Sequence, residues 1–280
     1  MSKEQIIKNK ETWDEIINGF TSKDVYFTYN YFIPFRNNGD GEPILYYFEC
    51  EYGKVAYPFM LRDIAKSKNF KGKLEENKYF DISSVYGYGG PLIKVYKNNK
   101  NHKLKEMFFK NFTNYCNKKN IISQFDRFHP LSKNYSFFKE YSEVIPIRKT
   151  VYMDLIDRER IWINIESKCR NKIRKAKKNK ISIVIEDDLQ TIDNFKNIYY
   201  STMRRNNASE YYYFNDNFFD DTIKSLGKNV FIANAYYENK IIVSSLIMRY
   251  NKYLHYHFSG ALKEYMKLQA NNLLLYEVAK

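Results

Sequence analysis

Three β-type runs, NVFIANAYY (229–237), KIIVSSLIMRY (240–250) and KYLHYHFSGA (252–261), follow one another with only ENK and the residues around Asn251 between them. Connections this short join antiparallel neighbours, because a parallel crossover needs a dozen residues or more. The second half must therefore hold an antiparallel meander. Helical patterns precede it at about 158–179, 189–206 and 215–226, with the strand ISIVIED (181–187) after the first of them, and a last helix follows at about 267–279. In the helix at 158–179, Ile161, Ile165, Cys169 and Ile173 form one apolar stripe.

The first half repeats this logic. Helical patterns at about 4–18 and 27–36 lead into PILYYFECEY (43–52) and KVAYPFMLRDI (54–64), with Gly53 as the hairpin turn. YFDISSVYGYGGPLI (79–93) reads as a strand broken by a Gly-rich turn. Leu104, Phe108, Phe112 and Cys116 then recur at i+4 along a helix over 102–118. IISQFDRF (121–128) is predicted as a buried strand and EVIPIRKTVYMDL (143–155) as a further one. The pattern predicts an α+β protein of two similar domains, 1–150 and 151–280, with a joint near 145–158. Each domain would be a mixed, mostly antiparallel sheet flanked by helices. The second would be incomplete, since no strand follows its last helix.

Composition narrows the partners. The formal charge is +14, shared as 25 bases against 17 acids in residues 1–150 (+8) and 21 against 15 in residues 151–280 (+6). An even excess describes a body that attracts anions, not a detachable basic tail. Three widely spaced cysteines make no disulfide framework and suit a reducing cytoplasm. The N-terminal residues lack the apolar run of a signal peptide. The stretch IIVSSLIM (241–248) is far short of the roughly 20 residues that span a bilayer, so a cytoplasmic protein with no integral membrane segment is expected. No metal-ligand spacing, Ser-His-Asp set or P-loop is present, and no metal is expected.

Four stretches could carry chemistry. KCRNKIRKAKKNK (168–180) holds eight bases in thirteen positions. A solvated helix face explains most of them, and the pointed alternative is that Arg170, Asn171 and Arg174 hold phosphate, since an arginine fork takes it in two-point contact. SSVYGYGGPL (83–92) would hold Tyr86 and Tyr88 on a stiff loop. It runs into PLI and opens no helix, so it is not a nucleotide loop. MRRNNASEYYYF (203–214) brings Arg204, Arg205 and Tyr212 close together, with tyrosines that cannot all face a core. In KYLHYHFSGA, strand alternation puts Leu254, Tyr256 and Phe258 on one face and His255, His257 and Ser259 on the other. The histidines could take a proton from an amine or orient a carbonyl.

RNKIRKA (170–176), YGYGGPL (86–92), RRNNA followed by YYYF, HYHFSGA and QANNLLLYE together resemble the Fem-like branch of the GNAT superfamily, the branch of peptidoglycan interpeptide-bridge aminoacyltransferases. The resemblance touches both halves. It implies tandem GNAT-like domains and transfer of an activated acyl or aminoacyl group to an amine of a cell-envelope acceptor. The donor would be aminoacyl-tRNA or acyl-CoA, with no cofactor tightly bound. The acceptor would be an anionic UDP- or lipid-linked precursor, and tRNA would be a further partner. Many GNAT enzymes hold CoA pyrophosphate on a Gly-rich turn between strand and helix. Here that connection, SGALKEYMKLQANN, has the single glycine Gly260, and there is no room for the coiled-coil arm with which some bridge-forming relatives grip tRNA. On this reading Tyr256, His257 and His255 handle the proton or the oxyanion. Arg204, Arg205, Tyr212, Tyr86 and Tyr88 bind the acceptor, and Arg170, Asn171 and Arg174 bind phosphate. Two alternatives stand beside it: an acetyl-CoA-dependent N-acetyltransferase on a sugar amine or small molecule, and a non-catalytic binding module.

Overall fold

The computed structural model describes residues 2–280. The chain forms two α+β units: residues up to Arg148 with Asp220–Ser225, and Lys149–Phe219 with Leu226–Lys280.

The first unit opens with β1 (Lys3–Ile7) and α1 (Lys10–Asn18). The helical pattern read from residue 4 is thus split. Asn9 caps α1 by accepting from the Thr12 amide, which stops the helix there, and residues 3–7 pair antiparallel with the next strand. Then come α2 (Tyr29–Asn38), β2 (Glu42–Cys50), β3 (Gly53–Asp63), β4 (Phe80–Ser83), β5 (Leu92–Val95), α3 (Asn101–Lys118), β6 (Ile121–Phe125) and the short α4 (Tyr135–Phe138). The strand order is β1-β2-β3-β4-β6, with β5 also on β3. β4 and β6 run parallel and the other pairs antiparallel. In the β2–β3 hairpin Cys50 pairs with Gly53, so Glu51 and Tyr52 make the turn and Gly53 begins the strand.

The core of this unit is aromatic. Tyr46, Phe48, Tyr57 and Phe59 meet Phe108, Phe112 and Tyr115 of α3 and Phe137 and Phe138 of α4, all buried. Each such ring contributes roughly 1.5–3 kcal/mol by leaving water, and edge-to-face pairs such as Tyr57–Phe112 at 5.4 Å fix their orientation.

In the second unit α5 (Arg158–Asn164) and α6 (Ser167–Lys178) precede β7 (Ser182–Glu186) and α7 (Ile192–Arg205); of the next helix, α8 (Phe218–Leu226), Phe218, Phe219 and Leu226 fall in this unit and Asp220–Ser225 in the first. The meander is β8 (Val230–Tyr237), β9 (Lys240–Tyr250) and β10 (Tyr253–Ala261), and α9 (Ala270–Ala279) follows. Its antiparallel sheet has the order β10-β9-β8-β7. Ala233, Ala235, Val243 and Ile247 pack against Ile173 and Ala176 of α6 and Leu273 and Leu274 of α9. On the opposite face Gly260 lies against α7, where a Cβ would sit 2.5 Å from the Ile198 carbonyl oxygen.

Three expectations are corrected. The run 121–128 holds an edge strand, not a buried one: Ile122 is 64% and Phe125 54% exposed, because β6 ends the strand order. Residues 143–155 form no strand. Pro146 lacks an amide hydrogen, no described strand lies alongside, and Val151 remains 94% exposed. The single helix over 158–179 is two, broken at Ile165 and Glu166, so only Ile161, Ile173 and Ala176 of its inward face are fully buried.

Candidate active site at the bulge of β10

The last strand does not alternate cleanly. Tyr256 pairs with Ile247 and Phe258 with Leu246, leaving His257 as an extra residue in a β-bulge. A bulge resets the side-chain period, so Tyr256 shares the α9 face with Leu254 and Ser259. His255, opposite Met248, shares the α7 face with Phe258. The predicted grouping of Leu254, Tyr256 and Phe258 against His255, His257 and Ser259 is therefore undone between residues 256 and 258. Phe258 fills the α7 side among Tyr199, Phe214, Phe218 and Phe219.

Pairing with Ile247 aims Tyr256 at the start of α9. Its phenol donates to Asn271 Oδ1 at 3.1 Å, and the side chain stays 45% exposed, within reach of a ligand. Ser259 on the same face shares a 2.9 Å hydrogen bond with Ser245 of β9. His257 packs edge-on against the Phe258 ring, 4.1 Å between centroids. Burial of its ring, with repulsion from His255 second, pushes its pKa down to about 3. At neutral pH it is an uncharged imidazole, suited to hydrogen bonding and a weak proton acceptor.

α7 clamps the exit of β10. Thr202 Oγ1 accepts from the Ala261 amide at 3.0 Å and donates to the Ile198 carbonyl at 2.9 Å. Arg205 donates to the Ala261 carbonyl at 2.5 Å, so this guanidinium holds the strand end in place. Arg204, one residue earlier, is exposed in the last turn of α7. Tyr212 is tied by its backbone, its carbonyl accepting from the Tyr199 hydroxyl at 3.1 Å. The connection from β10 to α9 is a 3-10 stretch, Lys263–Leu268, closed by Gln269 with a left-handed φ of 62°.

On α6 the proposed phosphate ligands separate. Arg170 donates to the carbonyls of Trp162, Ile163 and Ile165 at 2.5–3.4 Å, capping the end of α5. Arg174 lies over the Trp162 ring at 5.4 Å and bonds Asn171 Oδ1 at 2.9 Å; both side chains are exposed. Arg174 and Asn171 can meet an anion as they stand, whereas Arg170 would first have to release α5.

Tyr86 and Tyr88 belong to the first unit, on a tightly held loop. The Tyr86 carbonyl accepts from the Tyr31 hydroxyl, and Asn134 donates to the carbonyls of Gly89 and Pro91 at 2.8 and 3.1 Å. Gly87, at φ +94°, leaves no room for a side chain: a Cβ would meet the Tyr26 ring at 2.5 Å. Beneath the loop, buried His129 donates through Nε2 to Asp24 at 2.9 Å; Nδ1 accepts from the Ser132 amide, which assigns the proton to Nε2. Tyr88 packs against the His129 ring at 5.7 Å.

Sequence reading missed Asn271, Thr202, Ser245 and the Asp24–His129 pair. Asn271 lies inside the quoted QANNLLLYE, but nothing in the sequence ties it to Tyr256. The other three carry no spacing signal in the sequence. No group of three or more potential metal ligands occurs among the described residues.

Residues 164–280 match the family model described as an acetyltransferase (GNAT) domain, a span that includes α6, α7, the meander and α9. No curated protein sequence matches the chain. Among solved structures the chain is similar to the crystal structure of FemX, at 10% identity and a TM-score of 0.66, over 99% of this chain and 85% of that one. The fold of the chain is FemX-like and its residues 164–280 match a GNAT domain, and together these support the Fem-like GNAT resemblance of its motifs.

Proposed function

We propose that the protein is a cytoplasmic N-acyl- or aminoacyltransferase acting on an amine of an anionic cell-envelope precursor. The GNAT match and the FemX-like fold support an acyltransferase in general. The observation that carries the site is the hydrogen bond from Tyr256, paired with Ile247 on the α9 face, to Asn271. In the reaction the amine nitrogen attacks the carbonyl carbon of an ester or thioester. The C–N bond forms, the C–O or C–S bond breaks, and the leaving group takes up the proton that the amine releases. Tyr256 would swing its hydroxyl proton from Asn271 to the oxyanion, and neutral His257 would hydrogen-bond the attacking amine. Arg204, Arg174 and Asn171 would meet the anionic part of the substrate.

The +14 charge favours a polyanionic donor such as aminoacyl-tRNA and an anionic UDP- or lipid-linked acceptor. An acetyl-CoA-dependent acetyltransferase is the second reading, favoured by the acetyltransferase description of the matching domain. Thermal-shift titration with acetyl-CoA, a UDP-linked muropeptide and total tRNA separates them. Stabilisation by the muropeptide or tRNA supports the first reading, and stabilisation by acetyl-CoA alone contradicts it.

A further inference from the structure

The sheet of the second unit ends on β7, which pairs with β8 on one side and with no described strand on the other. An exposed edge strand is a template for further pairing, and folded proteins blunt it with lysine, proline or a bulge. β10, at the other end of this sheet, carries the bulge at His257. β7 carries none of these devices: its residues read SIVIE and pair with β8 in unbroken register. Val184 is 42% and Ile185 48% exposed, on opposite faces of the strand. On the α9 face Ile181, Ile183, Ile185 and Leu273 line a groove of about 260 Å³, together with Lys177 and Glu277, which pair at 3.1 Å.

The charges flanking β7 decide what the edge suits. Lys177, Lys178 and Lys180 precede the strand, and Glu186, Asp187 and Asp188 close it. Lys177 is held by Glu277 and Asp187 by Arg249, while Glu186 accepts from Thr191 and Asn234. Lys178, Lys180 and Asp188 are exposed. A strand that is basic at its start and acidic at its end complements itself when antiparallel, whereas a parallel copy sets like charges together. A peptide of one charge sign would match only one end. We infer that β7 is a self-association edge, to which a second copy of this chain adds its own β7 antiparallel across a two-fold axis. An axis at Val184 pairs the whole strand: Ser182 comes opposite Glu186 of the second copy, and Ile183 opposite Ile185. The two Val184 side chains meet on one face and the isoleucines on the groove face, so apolar edges leave water together. Lys180 comes beside the second copy's Asp188. This edge and β10 lie at opposite ends of the sheet, so self-association and the transfer chemistry can fail separately.

The test is sedimentation equilibrium of the full chain over a concentration series. The wild type should show a monomer–dimer equilibrium. Val184→Lys, which sets two ammonium groups against each other on the axis, should stay monomeric. Asp188→Lys should weaken the dimer, and the double variant Lys180→Asp with Asp188→Lys should restore it, because the exchange re-forms the same pairs in reverse. All three positions are exposed, so an unchanged Tm is expected in each variant and shows that its fold is intact. If Val184→Lys does not fold, the charge exchange decides. A wild type that stays monomeric throughout overturns the assignment and leaves the edge to a different protein. A dimer that survives Val184→Lys, or a double variant no tighter than Asp188→Lys alone, overturns it as well.

Discussion

Tyr256 and Asn271 lie fifteen residues apart in sequence and meet through a 3.1 Å hydrogen bond that joins the bulged strand β10 to the first turn of α9. The β9–β10 turn sets the register that pairs Tyr256 with Ile247, and the extra His257 shifts only the residues after it, so that Phe258 comes opposite Leu246. Tyr256→Phe removes the hydroxyl and little else. We expect turnover to fall about 10²–10³-fold, the usual effect of losing one oxyanion donor. Unfolding free energy should change by no more than about 1 kcal/mol, because the lost bond is partly exposed. Steady-state kinetics and chemical denaturation of the same variant check both halves.

His257 makes stability depend on pH in a defined direction. Its pKa in the folded chain, about 3, lies below the ordinary histidine value near 6.5, so below that value the unfolded chain binds the proton first. Its contribution is fully present above pH ~6.5 and is lost as pH falls toward ~3, with a slope of up to about 1.4 kcal/mol per pH unit. Urea unfolding at stepped pH values should show this slope flattened in His257→Gln relative to the wild type.

Adjacent arginines should behave differently. Arg205→Ala leaves the Ala261 carbonyl without its charged donor and should destabilise the fold by about 1.5–3 kcal/mol. Arg204→Ala, at an exposed position, should leave stability within about 0.5 kcal/mol and weaken binding of the anionic substrate. Denaturation midpoints set beside substrate affinity for the two variants provide the comparison.

A parallel split is expected on α6. Arg170→Ala frees the end of α5 and should lower Tm whether or not ligand is present. Arg174→Ala should leave Tm of the free protein nearly unchanged and reduce the thermal shift given by a phosphate-bearing ligand. An unchanged ligand shift in Arg174→Ala would return this helix to a solvated basic face.

Gly260 has a packing role. A methyl group there meets the backbone of α7 at Ile198, which cannot yield as a side-chain end can. Gly260→Ala should destabilise the fold by about 1–3 kcal/mol and loosen the Thr202 clamp on Ala261, visible as faster amide exchange at Ala261.

The antiparallel meander, the two-part α+β organisation and the helix over 102–118 were legible because short connections and unbroken periodicity leave few options. The strand at 3–7 was hidden because two isoleucines there fit a helical stripe as well as a sheet edge, and only the Asn9 cap divides them. EVIPIRKTVYMDL has the β-branched and aromatic residues of a strand, but pairing needs a neighbour, and none of the described strands provides one. Within the site, Tyr256 is amphipathic and suits either face of β10, so nothing in its residue type reveals the bulge. The two arginines of MRRN look equivalent in sequence, and only the position of Ala261 separates the clamp from the exposed partner.

The most direct test of the central claim is the rate of amine acylation by wild type and Tyr256→Phe, measured side by side with the donor that stabilises the protein in thermal shift. A loss of about 10²-fold or more at unchanged Tm is predicted if the β10 bulge is the transfer site. Undiminished turnover in a folded Tyr256→Phe protein would contradict it.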